Sequence, residues 1–576
     1  MPEGFFLSTL IDFEDDAARG LYRPENIEAM MAKLRELGVR RVYWIHYGPE
    51  DNGFMWRKYV PELGHSVADT YTVLGDATQV AVAAAKRHGL EIYGVLKPYE
   101  TGISMIYPEG SLEAQEYGVL PHLGSRIPIV MRFVAEHPEM RIRRRTDDIP
   151  PDLHRTPVHT IHLYKRNDMP TRIGKENLEI WTSDANYRYT RKDVDFSFAD
   201  QVVPAPHDFI DMNGNVLARQ GTLVRRLTLS GLSLLDKYIL LTTNFQDGPA
   251  DFENAALHMV KAFGPDGREM IISVGHGLSV WCSQKIDFRT WGIEYDNGFG
   301  RCVLHLDAPN TSPHSGPWSQ GRAGFVAFTR GRNEYLPAAL CAAYPEVQQF
   351  WLSQVQACLD AGVDGMDWRI ENHCTHTDDF FAYGFNDVVI EEYRRRYGPS
   401  TSTKEIDLNL LGQIRGEYFT DFLRQATRLV HSYGKKTQIH LNVEFLRPDP
   451  RPSRHIAYPW NVRYDWRGWL QGGLFDEATL RTFQYTPEFV LGDPFSQEVI
   501  AACRQRGMPI HYNRYINGTP AHYADELEYI YKDGRFQSFI VYEVSAFMAP
   551  TEQGGVRTLG GWFDAIRNKA KALGIA

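Results

Sequence analysis

Strand-like apolar runs alternate with amphipathic helical stretches at both ends of this chain, and this alternation limits its possible folds more than any other feature. Eight such strands lie outside a central region, three before it and five after it. Eight strands that are each followed by a helix favour a closed (β/α)8 barrel, a TIM barrel of the α/β class. A doubly wound open sheet is the alternative, but no GxGxxG turn follows the first strand. The predicted strands are Phe5–Phe13, Arg41–Tyr47, Glu91–Pro98, Val363–Glu371, Thr437–Glu444, Leu474–Leu480, Pro509–Asn517 and Phe536–Phe547.

The central region follows a different pattern. From 149 to 275, short alternating runs are separated by Gly, Asn and Asp, which is typical of an all-β, sandwich-like domain inserted after the third barrel strand. The range 276–344 is rich in Gly and Pro and is predicted to be an irregular, loop-rich return segment. A helix is predicted at Ser125–Arg145, just before the insertion. The predicted division is therefore barrel strands one to three over 1–148, the insertion over 149–275, the return segment over 276–344 and strands four to eight over 345–576.

Composition bears on partners and location. The chain has 62 Lys and Arg against 72 Asp and Glu, a net charge of −10. Nucleic-acid-binding proteins are usually basic, so no nucleic-acid partner is expected. The start, MPEGFFLSTLIDFEDD, lacks the parts of a signal peptide, and no run approaches the roughly 18 apolar residues of a membrane helix. Six cysteines without a CxxC pair complete the expectation of a reduced, cytoplasmic protein with no membrane contact.

Polar residues recur at every second position of the fourth and fifth predicted strands. Successive side chains of a strand point to opposite faces, so each strand has one polar and one apolar face. The polar faces consist of Asp367, Arg369 and Glu371 on the fourth strand and of Gln438, His440, Asn442 and Glu444 on the fifth. A barrel core normally contains branched apolar residues, so this many inward polar groups predicts a functional site at the C-terminal ends of the strands.

Each of these two strands ends in a glutamate. Neighbouring strands lie about 5 Å apart, so Glu371 and Glu444 are predicted to flank a small gap. Glycoside hydrolysis uses such a pair: one carboxyl group protonates the leaving oxygen, and the other attacks the sugar or activates water. We therefore predict Glu371, Glu444 and Asp367 as catalytic residues. For a single strand-end glutamate, a solvated or arginine-paired surface acid is the competing interpretation.

Other strand ends supply further candidates for substrate binding. Lys or Arg in such a ring could hold an acidic group of a substrate, and flat aromatic faces suit stacking on sugar rings. Salt bridges at the barrel rim and tryptophans that only pack long loops are the competing interpretations. The predicted substrate-binding residues are Arg369, His440, Asn442, His46, Lys97, Asn513, Tyr542, Glu543, Trp318 and Trp460. Weaker candidates at strand ends are Asp12, Tyr47, Tyr99, Asp476, Glu477 and His511.

The segment YPEVQQFWLSQVQACLDAGVDGMDWRIEN, from Tyr344 onward, resembles bacterial glycosyl hydrolase-like barrel families of uncertain substrate. In those families a helix that starts with PEV leads into a fourth strand that bears acids, and LRELGVRRVYW fits their opening. The resemblance covers the barrel strands and implies a role for an acid at Asp367. The chain departs from the large clan of retaining barrels with an Asn-Glu pair, because Asn372 follows Glu371 and the seventh predicted strand carries no acid.

The sequence thus predicts a glycoside hydrolase acting on an oligo- or polysaccharide, with no cofactor; a homo-oligomer is compatible with the sequence. A metal at His373, His376 and Asp378 is a weaker possibility, because their spacing matches no specific metal motif. Three alternatives stay open: another carbohydrate-active enzyme such as a lyase or isomerase, a barrel with a metal-activated water, and a non-catalytic glycan-binding barrel.

Overall fold

The computed structural model describes most of the barrel and parts of the central region. The described residues are 4–17, 19–48, 65–103, 129–183, 188–211, 216–244, 256–257, 259–274, 293–296, 301–306, 325–332, 334–370, 380–400, 402–443, 462–482 and 485–575.

Eight parallel strands close into a barrel, which confirms the predicted fold class. In order around the barrel they are β1 (Phe6–Ile11), β2 (Val39–Ile45), β3 (Glu91–Leu96), β22 (Gly365–Arg369), β23 (Lys436–Asn442), β24 (Glu477–Thr482), β25 (Ile510–Tyr515) and β26 (Ser538–Tyr542). The last strand pairs with the first, with Leu10 opposite Tyr542. This pairing brings the C-terminal ends of the first and last strands together at the barrel mouth.

Helices surround the barrel and begin and end where the sequence supplies the appropriate residues. The Asp76 side chain accepts a hydrogen bond from the backbone of Gln79 at the start of a helix, and Gly362 ends another in a left-handed conformation. The helices are α1 (Phe13–Ala17), α2 (Pro24–Leu37), α3 (His65–Leu74), α4 (Ala77–Arg87), α5 (Arg132–Glu136), α6 (Pro345–Ala361), α7 (Asp387–Tyr397), α8 (Leu408–Ser432), α9 (Trp466–Gln471), α10 (Pro487–Gly492), α11 (Pro494–Gln505), α12 (Pro520–Asp533) and α13 (Trp562–Ala572). Short 3-10 turns lie at Pro138–Met140, Lys175–Asn177, Phe380–Ala382, Thr403–Glu405 and Val544–Ala546.

The two faces of the barrel strands differ in polarity, as predicted. Met366 and Trp368 on β22, together with Ile439 on β23, are fully buried in the hydrophobic cluster that joins the barrel to its helices. The opposite face carries polar side chains, several of which contact strands that are not neighbours. The guanidinium of Arg41 on β2, for example, reaches the carboxylate of Glu477 on β24 across the barrel interior. The barrel therefore has an apolar outer layer and a polar interior.

The chain between β3 and β22 forms largely antiparallel sheets. These strands are β4 (Gly102–Ile103), β5 (Ile129–Val130), β6 (Arg141–Arg143), β7 (Val158–Tyr164), β8 (Leu178–Ser183), β9 (Arg188–Lys192), β10 (Ser197–Pro204), β11 (Phe209–Asp211), β12 (Val216–Ala218), β13 (Leu223–Leu234), β14 (Tyr238–Thr243), β15 (Ala256–Leu257), β16 (Val260–Phe263), β17 (Ile272–Val274), β18 (Ile293–Asp296), β19 (Arg301–Leu306), β20 (Phe325–Arg330) and β21 (Tyr335–Leu340). One sheet has the order β10-β13-β7-β16 and another the order β17-β20-β14-β8-β9-β19-β18. Buried residues of both sheets, such as Leu229 and Leu241, belong to one hydrophobic cluster. A hairpin, β27 (Met548–Pro550) with β28 (Val556–Thr558), follows the barrel.

Two details of the central region differ from the sequence-based expectation. The range 276–344, predicted to be irregular, contains β18 to β21, and β21 includes Pro337. In the described part of the predicted helix Ser125–Arg145, the chain forms the short α5 and then β6, with Pro138 between them. The predicted domain boundaries themselves stay a prediction. No helix in the described residues is long and apolar enough to cross a membrane.

Candidate active site

Lys97 joins three groups at the C-terminal ends of the first three barrel strands. Its ammonium Nζ lies 3.0 Å from Asp12 Oδ2, 2.6 Å from the Tyr47 hydroxyl and 2.8 Å from Glu100 Oε1. The Tyr47 hydroxyl donates to the other oxygen of Asp12, Oδ1, at 2.7 Å. All four residues are buried. The Asp12 carboxylate is therefore fixed by a hydrogen bond to each of its oxygens.

Glu543 lies beside Asp12, because β26 pairs with β1. Asp12, Asp15 and Glu543 form a cluster in which one carboxylate oxygen of each residue lies within 4.8 Å of the other two. The hydrogen bond to Glu543 Oε1 comes from the hydroxyl of Ser545 at 2.7 Å. Asp12 and Glu543 are buried, whereas Asp15 is exposed to solvent. Three acidic groups thus meet at the mouth of the barrel, and a single lysine contacts one of them.

The pKa values of this group follow from burial and from mutual repulsion. Burial raises the pKa of Glu543, and the charge of Asp12 raises it further, against the opposing effect of the Ser545 hydrogen bond. Desolvation also raises the pKa of Asp15, and the charges of Glu543 and Asp12 raise it further. Because the Asp15 residue is exposed, we attribute its raised pKa to these two charges. Burial opposes the charge of Lys97, but Asp12 and Glu100 outweigh it and raise the pKa of Lys97.

Two arginines pack on the ring of Tyr542, beside these acids. The guanidinium carbons of Arg369 and Arg481 lie 5.1 Å and 4.8 Å from the ring centroid of Tyr542. Arg369 also donates from Nη1 to the Tyr542 hydroxyl at 3.1 Å. Cation–π contacts of this kind fix both the ring and the guanidinium planes. Predicted residues Arg369 and Tyr542 are therefore brought together at the mouth, next to Glu543.

Below the mouth lies a layer of fully buried polar side chains. Nε2 of His440 lies 2.9 Å from Oδ2 of Asp367, although the N–H is not aligned for a hydrogen bond. Asn442 is the register partner of Arg481, and Arg481 is the register partner of Asn513, so these three lie side by side on β23, β24 and β25. The structure thus places predicted residues Asp367, His440, Asn442 and Asn513 inside the barrel. Asp367 lies deeper than the mouth and is completely buried.

Glu477 belongs to a network nearer the opposite end of the barrel. Its carboxylate pairs with Arg41 at 2.5 Å and lies 3.2 Å from Nε2 of His511. Although burial opposes it, the contacts with His511 and Arg41 hold the pKa of Glu477 well below its usual range. Asp476 precedes β24 and pairs with His431 at the surface. Neither acid reaches the mouth.

The structure does not bring every predicted residue to the site. Glu371, Glu444, Trp318 and Trp460 lie outside the described residues, as do His373, His376 and Asp378. The prediction that His46 lines the site is wrong: its Nδ1 lies 2.8 Å from the Thr78 hydroxyl of α4, because Tyr47 takes the inward position beside it. Burial lowers the pKa of His46 to about 4, so its imidazole is neutral near neutral pH.

Sequence reasoning missed several residues of the mouth. Asp15, Glu100 and Ser545 follow their strands by a few positions, within loops or single turns, where strand periodicity gives no information. Arg481 was missed because the sixth strand ends two residues later than predicted. The local signal that could have indicated Asp15 is the acidic run Glu14-Asp15-Asp16 directly after a buried strand.

Among the residues that the structure describes, Asp12, Asp15 and Glu543 form the one grouping with the spacing of a metal site. Both oxygens of Asp12 already accept hydrogen bonds, one of them from the ammonium of Lys97. The positive charge beside these acids is therefore supplied by the chain itself, and we assign no metal here.

Fold and site together define a (β/α)8 barrel with a cluster of ionisable groups at the C-terminal mouth, the end where such barrels carry their active sites. No protein-family model matches the chain, and no curated protein matches it in sequence. Among solved structures it is similar to the catalytic domain of β-amylase from Paenibacillus polymyxa, with a TM-score of 0.39 and 8% identity over 100% of this chain and 99% of that one.

Two further solved structures show how broad this likeness is. A curdlan-specific exo-β-1,3-glucanase from Blastomyces gilchristii has a TM-score of 0.22 and 8% identity, over 39% of this chain and 78% of that one. Morphinone reductase has a TM-score of 0.32 and 9% identity, over 97% and 92%. One barrel fold supports many reactions, and these values do not single out a reaction for this chain.

Proposed function

We propose that the protein is a glycoside hydrolase that acts on an oligo- or polysaccharide. The observation that carries the proposal is the contrast between Asp12 and Glu543. The Asp12 carboxylate is bound by an ammonium and a hydroxyl group, whereas burial raises the pKa of Glu543 beside it. Neighbouring acids in contrasting environments are the arrangement that lets one carboxyl group donate a proton while another stays ionised.

In this proposal Glu543 is the general acid that protonates the glycosidic oxygen. The ionised partner that attacks the sugar or activates water is one of Asp12, Glu371 and Glu444. The two predicted glutamates stay in the proposal because each follows an inward-facing polar residue by two positions, Glu371 after Arg369 and Glu444 after Asn442.

The remaining polar residues of the interior suit recognition of sugar hydroxyls. Arg369 and Tyr542 flank Glu543 at the mouth, and the amides of Asn442 and Asn513 offer both donors and acceptors. We propose that these groups bind and orient the sugar. The Asp367–His440 pair lies beneath them and is proposed to support their positions.

The test begins with a panel of 4-nitrophenyl glycosides and neutral and acidic oligosaccharides in water enriched in 18O. A hydrolase gives a product that carries 18O, whereas a lyase gives an unsaturated product and an isomerase a rearranged one. Retention of activity after treatment with a chelator separates carboxylate catalysis from a metal-activated water. Binding of an oligosaccharide without any turnover would contradict the proposal and indicate a glycan-binding barrel.

The acids are then compared on the substrate found. We expect Glu543→Gln to lower kcat by about 100-fold to 10,000-fold, the usual contribution of a general acid. Asp12→Asn, Glu371→Gln and Glu444→Gln are measured beside it, and the ionised partner is the one whose loss is of similar size. Asp476→Asn is the matched control, because that acid pairs with His431 at the surface. Full activity of Glu543→Gln would contradict its assigned role.

A further inference from the structure

Lys97 is enclosed at the barrel mouth by the groups that it binds. Lys97 is 4% exposed, so its ammonium group has little surface that a substrate could contact. An ammonium group has three hydrogens, and Asp12, Tyr47 and Glu100 provide one acceptor for each. Lys97 was predicted from the sequence to bind substrate, but these contacts leave no donor for that role.

The contacts of Lys97 reach the acids of the mouth through Asp12. Asp12 Oδ2 accepts from Lys97, Asp12 Oδ1 accepts from Tyr47, and an Asp12 oxygen lies within 4.8 Å of one on Glu543. A carboxylate that accepts hydrogen bonds at both oxygens is held in one orientation. The orientation of Asp12, and therefore the position of its charge relative to Glu543, depends on Lys97.

The charged and titratable groups around this pair come from several elements. Asp15 and Asp16 on α1 are further acids whose pKa values are raised by burial and by neighbouring carboxylates, and Glu100 after β3 is an acid in contact with Lys97. On the opposite side, Arg369 on β22 lowers the pKa of Glu543, and Tyr542 and Tyr515 complete the surroundings. Lys97 is the cation in direct contact with Asp12, whereas Arg369 contacts Tyr542. Lys97 is therefore the cation that acts on the Asp12 carboxylate by direct contact, 3.0 Å from its Oδ2.

We propose that Lys97 is a positioning residue whose ammonium orients the Asp12 carboxylate against Glu543 and balances its charge, so that Glu543 is the group of the pair that carries the proton. The catalytic use of this arrangement rests on the proposed hydrolase function. The arrangement itself does not, because it concerns the protonation of two side chains in the free protein.

The direct test is difference infrared spectroscopy of the full-length protein, in which protonated carboxyl groups give their own carbonyl band. At neutral pH we expect a band that is lost in Glu543→Gln and kept in Asp15→Asn and Asp16→Asn, because the pKa values of these two acids are raised as well. In Lys97→Met a second protonated carboxyl group is expected, and it must disappear when Asp12→Asn is added. Since Glu100 also loses its partner in Lys97→Met, the same comparison is made in the Glu100→Gln background. An unchanged spectrum in Lys97→Met would overturn the proposal.

A charge-conserving variant shows whether the positive charge of Lys97 or only its volume is needed. Lys97→Arg keeps a cation beside Asp12 and is expected to retain the wild-type spectrum. If Lys97→Met does not fold, Tyr47→Phe removes the other donor to Asp12 and keeps Lys97. The carbonyl band that Asp12→Asn removes must then appear in Tyr47→Phe. Absence of that band in Tyr47→Phe would count against the proposal in that case.

Kinetics supply the second readout, once a substrate is known. Loss of a neighbouring opposite charge raises the pKa of a carboxyl group. Where the comparison of variants identifies Asp12 as the ionised partner, we therefore expect the acid limb of the kcat/KM profile to move to higher pH in Lys97→Met and to stay in place in Lys97→Arg. A uniform loss at every pH would indicate a purely structural role. The expected infrared result without any glycosidase activity would leave the positioning role standing and refute the proposed function.

Discussion

Asn513 is a buried amide without hydrogen-bond partners among the described residues. It is fully buried on β25, and neither its Nδ2 nor its Oδ1 has a partner there. Leaving a buried polar group unsatisfied costs about 1–3 kcal/mol of folding free energy. A cost of this size at the centre of the barrel is consistent with a residue kept for the substrate, because functional sites commonly reduce stability.

This argument predicts opposite effects for two amides of the same barrel interior. Asn513→Leu removes the unsatisfied groups and should raise the free energy of unfolding by about 1–3 kcal/mol, while lowering activity. Gln438→Leu is the matched control, because the Gln438 side chain bonds to Arg41, Tyr43 and Thr479, and its loss should destabilise the protein. Urea unfolding of both variants measures the change. A loss of stability in Asn513→Leu equal to that in Gln438→Leu would contradict the prediction.

Single residues were predictable where strand periodicity applies. The inward positions of Asp367, Arg369, His440 and Asn442 follow from alternation along two strands, and the structure places all four inside the barrel. The importance of Asp12 could not be found in this way. Its neighbour Glu543 is 531 positions later in the chain, and only closure of the barrel brings the two together.

At the scale of elements, the sixth strand shows how a small shift changes a site. Its predicted range was Leu474–Leu480, and the strand runs from Glu477 to Thr482. The shift moves Asp476 off the strand and brings Arg481 to the level of Asn442 and Asn513. The short apolar run had suggested an earlier start, whereas pairing with β23 and β25 fixes the actual one. Strand number was therefore predictable, but strand ends depend on neighbours that the local sequence does not contain.

The network of β2, β24 and β25 leads to a prediction about stability and pH. The pKa of Glu477 is lowered in the folded protein from its ordinary value of 4.5. Its interactions therefore stabilise the fold at pH values above 4.5, and this stabilisation is lost as the pH falls toward the lowered pKa. Arg41→Met leaves the buried carboxylate without its main partner and should cost about 3–5 kcal/mol at neutral pH.

The double variant Arg41→Met with Glu477→Leu is the control for this prediction. It removes both charges and should recover most of the stability, since an apolar pair can replace a buried ion pair. Urea unfolding between about pH 3 and about pH 7 should show a smaller loss below the unfolded pKa in the double variant than in the wild type. Equal stability of Arg41→Met and the wild type at neutral pH would show that the network contributes little.

At the scale of the whole molecule, the hydrophobic core of the barrel is separate from that of the insertion. One cluster joins the barrel to its helices, and another joins the two sheets of the insertion. The chain enters and leaves the insertion at adjacent points: β6 pairs with β21, and the backbone nitrogen of Arg144 donates to the carbonyl of Glu334 at 2.6 Å. Separate cores and adjacent ends are the properties of a domain that folds independently.

We therefore expect the barrel to fold without the insertion. Replacement of 149–332 by about eight Gly and Ser residues should give a chain with one cooperative unfolding transition, because the linker has only to join adjacent ends. The isolated fragment 149–332 should also unfold cooperatively. A fragment limited to the predicted domain, 149–275, should not, because it lacks β20. That strand pairs with both β14 and β17 and contributes Val326 and Phe328 to the core. Circular dichroism on heating distinguishes the fragments, and cooperative unfolding of 149–275 would place the boundary where the sequence pattern put it.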